Sequence, residues 1–204
     1  SIKQLANRML NTVMNLLDVH KYQDSTLPLK LENIRGQLMV DHAIERVSLL
    51  AKHKFVDIRN QIDNDLTIVA DEEILERVLE NLFTNAIKFS PLNSTIIISG
   101  EESENSQIKF KVIDHGSGVL EKDRHRLFDK YFQADVRNSG KTRSSGLGLN
   151  FCKLAVEAHG GQIGVEPNQE KGSVFWFTVN QGQPERSSEE HPRSEKSGLP
   201  EIYL

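Results

Sequence analysis

Cysteine is almost missing from this chain: Cys152 stands alone among 204 residues. An intrachain disulfide is thereby excluded, nothing near Cys152 has metal-ligand spacing, and a reducing compartment is the expectation. Long apolar runs are missing too, so no segment reaches the roughly 20 residues that a membrane-spanning helix needs. Ser1 to Asn11 lacks the charge layout and apolar core of a signal peptide. An excess of basic charge is also absent. The 25 Lys and Arg are outweighed by 29 Asp and Glu, for a formal charge of −4, which argues against a nucleic-acid binder that works through phosphates. The hydrophobic fraction of 37% is low, as expected of one globular body diluted by a polar segment.

What is present is patterned hydrophobicity. From Ser1 to about Tyr22, Ile2, Leu5, Met9, Leu16 and Val19 recur at threes and fours, predicting one amphipathic helix. Such a helix needs a partner: the following domain, or a bundle completed by further sequence or by a second chain. The chain opens without Met inside this pattern and is expected to be a fragment. Residues 23–28 break the pattern as a hinge, 29–180 form the body, and 181–204, with three of the six prolines, read as a disordered tail.

Within the body, strands are predicted at Leu29–Glu32, Phe55–Ile62 and Leu66–Ala70, with a helix from Gly36 to Lys52 between the first two. Asp71 caps a long helix that runs to Phe89 and stops at Ser90 and Pro91. Thr95–Gly100 and Gln107–Asp114 form a hairpin. Glu121–Phe132 is partly helical, and Gln133–Ser145 is a polar, basic loop. A helix over Leu147–His159 and strands at Gln162–Val165 and Ser173–Asn180 complete the body. The fold class is α+β: a two-layer sandwich whose mixed sheet is covered on one face by helices.

Three places carry chemistry. On the Asp71 helix, Asn81, Asn85 and Lys88 are spaced four and three apart, so they share one edge of the apolar stripe. Asparagine oxygens are neutral, hard ligands suited to Mg²⁺, and Lys88 would supply a point charge to phosphates; an ordinary polar helix flank would look the same. Asp114-His115-Gly116-Ser117-Gly118 ends a strand. The glycines admit a flat ligand against the main chain, and the carboxylate accepts from an adenine amino group but repels the guanine carbonyl; a plain turn is the competing reading. Ser144-Ser145-Gly146-Leu147-Gly148-Leu149 opens a helix whose N-terminus attracts phosphate.

The order of these elements resembles that of sensor histidine kinases. Asn81-Leu82-Phe83-Thr84-Asn85-Ala86-Ile87-Lys88-Phe89 resembles their N box, and Asp114-His115-Gly116-Ser117-Gly118 their first glycine box. Leu127-Phe128-Asp129-Lys130-Tyr131-Phe132 resembles the F box, Gly146-Leu147-Gly148-Leu149 the second glycine box, and Gly172-Ser173 the last. The resemblance covers about Leu29 to Asn180. It implies a Bergerat-type ATP-binding fold with three helices on the sheet. Asp114 would read adenine beside Gly116 and Gly118, and Asn85 would hold Mg²⁺ with help from Asn81. Lys88 and Lys130 would approach the phosphates, and Gly146, Leu147 and Gly148 would bind them beneath a lid over Gln133–Ser145.

The hydrolysing branches of this superfamily place a glutamate one turn before the metal-binding Asn. Asn81 occupies that place and cannot act as a general base at neutral pH, while Glu80 points about 100° away around the helix. Transfer to another group is therefore expected, from ATP to histidine and then to an aspartate of a response-regulator receiver domain. None of the seven histidines has the phosphoacceptor's neighbours, so residues 1–22 are expected to be the second helix of a dimerisation hairpin, with the acceptor upstream. The intact protein would be a homodimer, this part cytoplasmic, and any membrane anchor confined to other segments. The alternatives are a regulatory module that binds nucleotide without transferring phosphate, and a serine-kinase relative of anti-sigma-factor pathways, against which the helix over 1–22 speaks. Trp176, between Phe175 and Phe177, is expected in the core or on the sheet surface, and Cys152 as a buried small hydrophobe.

Overall fold

The computed structural model describes residues 29–132 and 146–183. The expected helix over 1–22, the hinge at 23–28 and the lid at 133–145 lie outside the described residues, as does everything after 183.

Seven strands and four helices follow in the order β1 (Glu32–Arg35), α1 (Gly36–His53), β2 (Asp57–Gln61), β3 (Thr67–Ala70), α2 (Glu72–Phe89), β4 (Thr95–Ser103), β5 (Gln107–Ile113), α3 (Glu121–Arg124), α4 (Gly148–Ala158), β6 (Ile163–Pro167) and β7 (Ser173–Asn180). Five strands make one sheet in the order β2-β4-β5-β7-β6, and β1 pairs with β3 in a separate ribbon. Only β2 runs parallel to its neighbour, so the sheet is mixed.

Strand periodicity explains the layers. Ile96 and Ile98 of β4, Ile108, Phe110 and Val112 of β5, and Phe175, Phe177 and Val179 of β7 are all buried on one face, beneath α1, α2 and α4. Phe110 and Phe177 sit opposite in register and stack with centroids 5.0 Å apart. The alternate positions mix polar residues with the partly exposed Ile97, Ile113, Val174 and Trp176. There Lys111 pairs with Glu101, and Lys109 pairs with Glu166 while lying over the Trp176 ring. One face therefore carries the core, at about 1.5–3 kcal/mol per large apolar side chain buried, and the other is left to water.

The central helix α2 is fixed at both ends. At its start the Asp71 side chain accepts from the Ile74 N–H, and the His159 ring accepts from the Asp71 N–H at 3.0 Å. At its end the Lys54 ammonium donates to the carbonyls of Ile87, Lys88 and Ser90, groups that a helix terminus otherwise leaves unpaired. Between the caps, Leu75, Val78, Leu79, Leu82, Phe83 and Ile87 are fully buried. The outer flank is held to α1 by Arg46, which pairs with Glu76 and Glu80.

Two expectations need correction. The first strand is Glu32–Arg35 rather than Leu29–Glu32, because the Lys30 N–H goes to the Asp71 carboxylate instead of to a strand partner. Helix α3, Glu121–Arg124, is the helical part of the segment expected to be partly helical up to Phe132. The chain turns after it because Leu127 and Phe128 pack on the core. Gln181 and Gly182, expected in the tail, instead donate backbone bonds to Ser106 and Thr67.

Candidate functional site

Helix α2 is the common wall on which the motifs meet. Its C-terminal end approaches the first glycine turn so closely that a Cβ on Gly116 would lie 2.9 Å from the Phe89 carbonyl oxygen. Its middle approaches the second: a Cβ on Gly148 would lie 2.6 Å from Asn81 Oδ1. The F box joins through the backbone. The Tyr131 N–H donates to the Gly146 carbonyl, and Gly146, at φ +69°, leaves no room for a side chain beside Tyr131 and Phe132. Asn150, in the first turn of α4, adds a bond from its amide to the Phe128 carbonyl. Four sequence motifs thus come together, with Gly116 and Gly146 allowing backbone approaches that a side chain would obstruct.

Asp114 is 3% exposed at the end of β5. Its Oδ1 accepts from the Gly116 N–H at 2.7 Å and the Ser173 N–H at 3.3 Å, and both donors fall on this one oxygen. Burial pushes its carboxyl above the ordinary aspartate range, with the two N–H donors and the nearby His115 pulling the other way. The main chain at Asp114 is equally tied. Its N–H donates to the Ser173 carbonyl, and its carbonyl accepts from the Asn168 amide, which also donates to the Lys171 carbonyl. Gly172, at φ +110°, crosses so close that any side chain would overlap the Asp114 carbonyl.

Asn168 was missed by sequence reasoning. Its signal was an asparagine in a turn four residues before a glycine, a residue suited to holding turn backbone. His159 was missed likewise. Nothing at residue 159 points towards a cap on a helix that starts 88 positions earlier.

The remaining candidates are arranged more loosely. Asn85 is half-buried on α2, and its amide makes no hydrogen bond to a described residue. Lys88 lies over the Phe89 ring at 5.1 Å and Lys130 over the Tyr131 ring at 5.5 Å. Asn81 donates to the Arg77 carbonyl, one turn back on its own helix. Leu147 is buried beside Gly148, which opens α4. Glu80 faces Arg46 of α1, as the helical wheel anticipates.

Fold and site together define the class: a mixed sheet with one face covered, a strand-end aspartate held by backbone, and glycine turns against an asparagine-bearing helix. Residues 70–183 match the family described as histidine kinase-, DNA gyrase B- and HSP90-like ATPases, and the chain belongs to it. Among its relatives, the sensor histidine kinase WalK of Bacillus subtilis (strain 168) is 30% identical over 173 residues. The sensor protein KdpD of Clostridium acetobutylicum is 34% identical over the same length. Each match covers 84% of this chain but only 28% of WalK and 19% of KdpD, so the chain spans a minor part of such proteins. The crystal structure of full-length ShkA in complex with AMPPNP superposes with a TM-score of 0.76 at 26% identity, over 88% of this chain and 37% of that one. The fold is that of the catalytic, ATP-binding domain of sensor histidine kinases.

Proposed function

We propose that the chain is the ATP-binding catalytic part of a two-component sensor protein-histidine kinase. It holds ATP with Mg²⁺ and transfers the γ-phosphoryl group to a histidine on a separate helix, from which an aspartate of a response-regulator receiver domain takes it. The observation that carries this reading is the construction around Asp114. Both backbone donors are taken by Oδ1, which leaves Oδ2 to accept from an adenine amino group, and Gly116 keeps side chains away from the turn beside it.

The donor set fits the metal. Asn85 offers a neutral amide oxygen that no described residue occupies, the kind of hard ligand Mg²⁺ uses alongside phosphate oxygens. When bound, Mg²⁺ would neutralise phosphate charge. Lys88 and Lys130 would add point charges, and the N–H groups at Gly148 would face phosphate at a helix start. What the protein contributes is positioning and charge stabilisation. Hydrolysis lacks a base, since Asn81 has none to offer and Glu80 is engaged by Arg46.

The relatives' designation as sensor kinases supports a receiver domain as partner and a homodimer formed through a hairpin bundle. Among the described residues no helix is long and apolar enough to cross a membrane. Titration calorimetry should give Mg²⁺-dependent ATP binding and far weaker GTP binding, since sites built for one hydrogen-bonding pattern reject its lack by ~10⁴-fold. Radiolabelled ATP should label an acceptor hairpin from a related kinase supplied in trans. Binding without any transfer would leave the regulatory module as the function.

A further inference from the structure

We infer that the free edge of β6 is a docking groove for an extended, acidic peptide segment of a partner protein. A cavity of about 370 Å³ runs along this edge, lined by Ile163, Gly164, Val165 and Glu166 of β6, by Arg124, His125 and Phe128, and by Lys153 and Trp176. It shares only Phe128, a residue of the F box, with the elements of the candidate nucleotide site.

The backbone is arranged for strand addition. Among the described residues, strand β6 ends the sheet with β7 its only neighbour. The Thr178 N–H bonds to the Gln162 carbonyl, and Gly164 lies opposite Trp176 in the same register. Alternate residues of an antiparallel pair exchange both bonds. Residues 162, 164 and 166 therefore turn towards β7, and Ile163 and Val165 direct N–H and C=O outward. No described backbone group answers them. Such an edge pairs readily with an extended chain.

Two further features select the occupant. Gly164 has no side chain, and a Cβ there would overlap the six-membered ring of Trp176. The indole consequently lies across the edge strand and reaches the groove, with Lys109 on its ring at 4.3 Å. Its Nε1–H is buried against Gly164 and has no acceptor among the described residues. The lining is more basic than acidic: Arg124 and Lys153 line the groove, Lys153 with Glu157 at 3.9 Å on its own helix, and the one lining carboxylate, Glu166, is paired with Lys109. Acidic side chains flanking the added strand would be drawn in, and basic ones repelled.

Trp176 is the chain's only tryptophan, so its fluorescence reports on this groove alone. The full chain is titrated with a capped Glu-Val-Glu-Val-Glu peptide and, separately, with its Lys-Val-Lys-Val-Lys counterpart. The expected result is a saturable change in emission with the acidic peptide and at least about tenfold weaker binding of the basic one. Arg124→Glu should weaken the acidic peptide by about tenfold or more while ATP affinity is unchanged. Val165→Pro removes an outward N–H without touching the β7 ladder and should abolish the response; retained ATP binding verifies its fold. No saturable change, equal binding of both peptides, or undiminished binding to both variants overturns the proposal. Emission that shifts with protein concentration alone would assign the edge to a second copy and overturn it as well.

Discussion

The two ends of the candidate site are built differently. At the adenine end, Asp114 is buried, its Oδ1 takes two backbone donors, its own N–H and carbonyl are bonded, and Gly172 closes over it. At the phosphate end, Asn85 has no described hydrogen-bond partner, and Lys130 rests over an exposed tyrosine ring. The first end is set by backbone before any ligand arrives. The second consists of side chains that, under the proposed function, would acquire their geometry with the metal and phosphates. Recognition is thus placed where conformational cost has already been met in folding, and the charged groups are left adjustable.

The sharpest way to separate the ends is Asn85→Ala. Phosphoryl transfer to an acceptor hairpin should fall by at least about 10²-fold, the scale on which losing one group that stabilises transition-state charge is felt. Mg²⁺-free nucleotide binding should stay within about twofold, since the adenine end is untouched. Single-turnover transfer and calorimetry without metal measure the two. Transfer that survives would mean the metal is held elsewhere, and the comparison would lose its phosphate half.

Gly172→Ala attacks the other end. The new Cβ would overlap the Asp114 carbonyl at a φ that side chains rarely adopt, so the turn must move. A cost of about 1–3 kcal/mol is expected in urea melts, together with loss of measurable ATP binding. An unchanged affinity would show that the adenine end is less rigid than its hydrogen bonds imply.

Asp114→Asn is subtler and tests what the charge does. Asparagine's single oxygen can keep both donors that Oδ1 now accepts, so the fold loses nothing there, while adenine loses its acceptor. ATP affinity should drop by more than about tenfold. Stability should not drop, because burial holds the wild-type carboxyl above the usual range. A carboxyl whose folded pKa lies above its unfolded value destabilises the fold above the folded pKa, and the penalty fades as pH falls from there to the unfolded value. The variant should therefore be the more stable at neutral pH, with the gap closing as the pH is lowered through that window. Chemical denaturation at several pH values reads it directly. A gap that widened on acidification would reverse the assignment.

How far this division was legible beforehand depended on the range of the signal. Period and caps located α2, from Asp71 to Ser90, because a helix's own side chains determine where it starts and stops. The strand ends at Ser173 and Asn180 were equally local. The motif glycines pointed to turns, and their resemblance to kinase boxes implied the adenine and phosphate ends that the proposed function adopts. Hidden were the contacts that join distant segments: Asn168 to the Asp114 carbonyl, His159 to the Asp71 N–H, and Lys54 to the last turn of α2. Each pairs a polar side chain with a backbone group, and no spacing rule in one sequence encodes such a partner.

The smallest expected effect asks whether the two ends are independent of the helix that joins them. The His159 Nδ1 contacts the Ala155 carbonyl at 2.7 Å while Nε2 accepts from the Asp71 N–H at 3.0 Å, so the ring bridges the two backbone groups. In His159→Leu, the apolar volume is kept but the Asp71 N–H loses its acceptor at the very start of α2. An orphaned donor of this kind costs about 1–3 kcal/mol. The Asp71 carboxylate still caps the Ile74 N–H, and Lys54 still holds the far end, which places the cost at the lower limit. If α2 stays in place, ATP affinity and transfer rate should both remain within about twofold of wild type while the melting temperature falls by a few degrees. If the helix slides, Asn81 moves against Gly148 and Phe89 against Gly116 together, so both ends weaken in step. Thermal melts, nucleotide titration and single-turnover transfer on this one variant distinguish the cases. Parallel losses would mean that the rigid end borrows its rigidity from α2, whereas a loss of stability alone would locate it in the Asp114 turn itself.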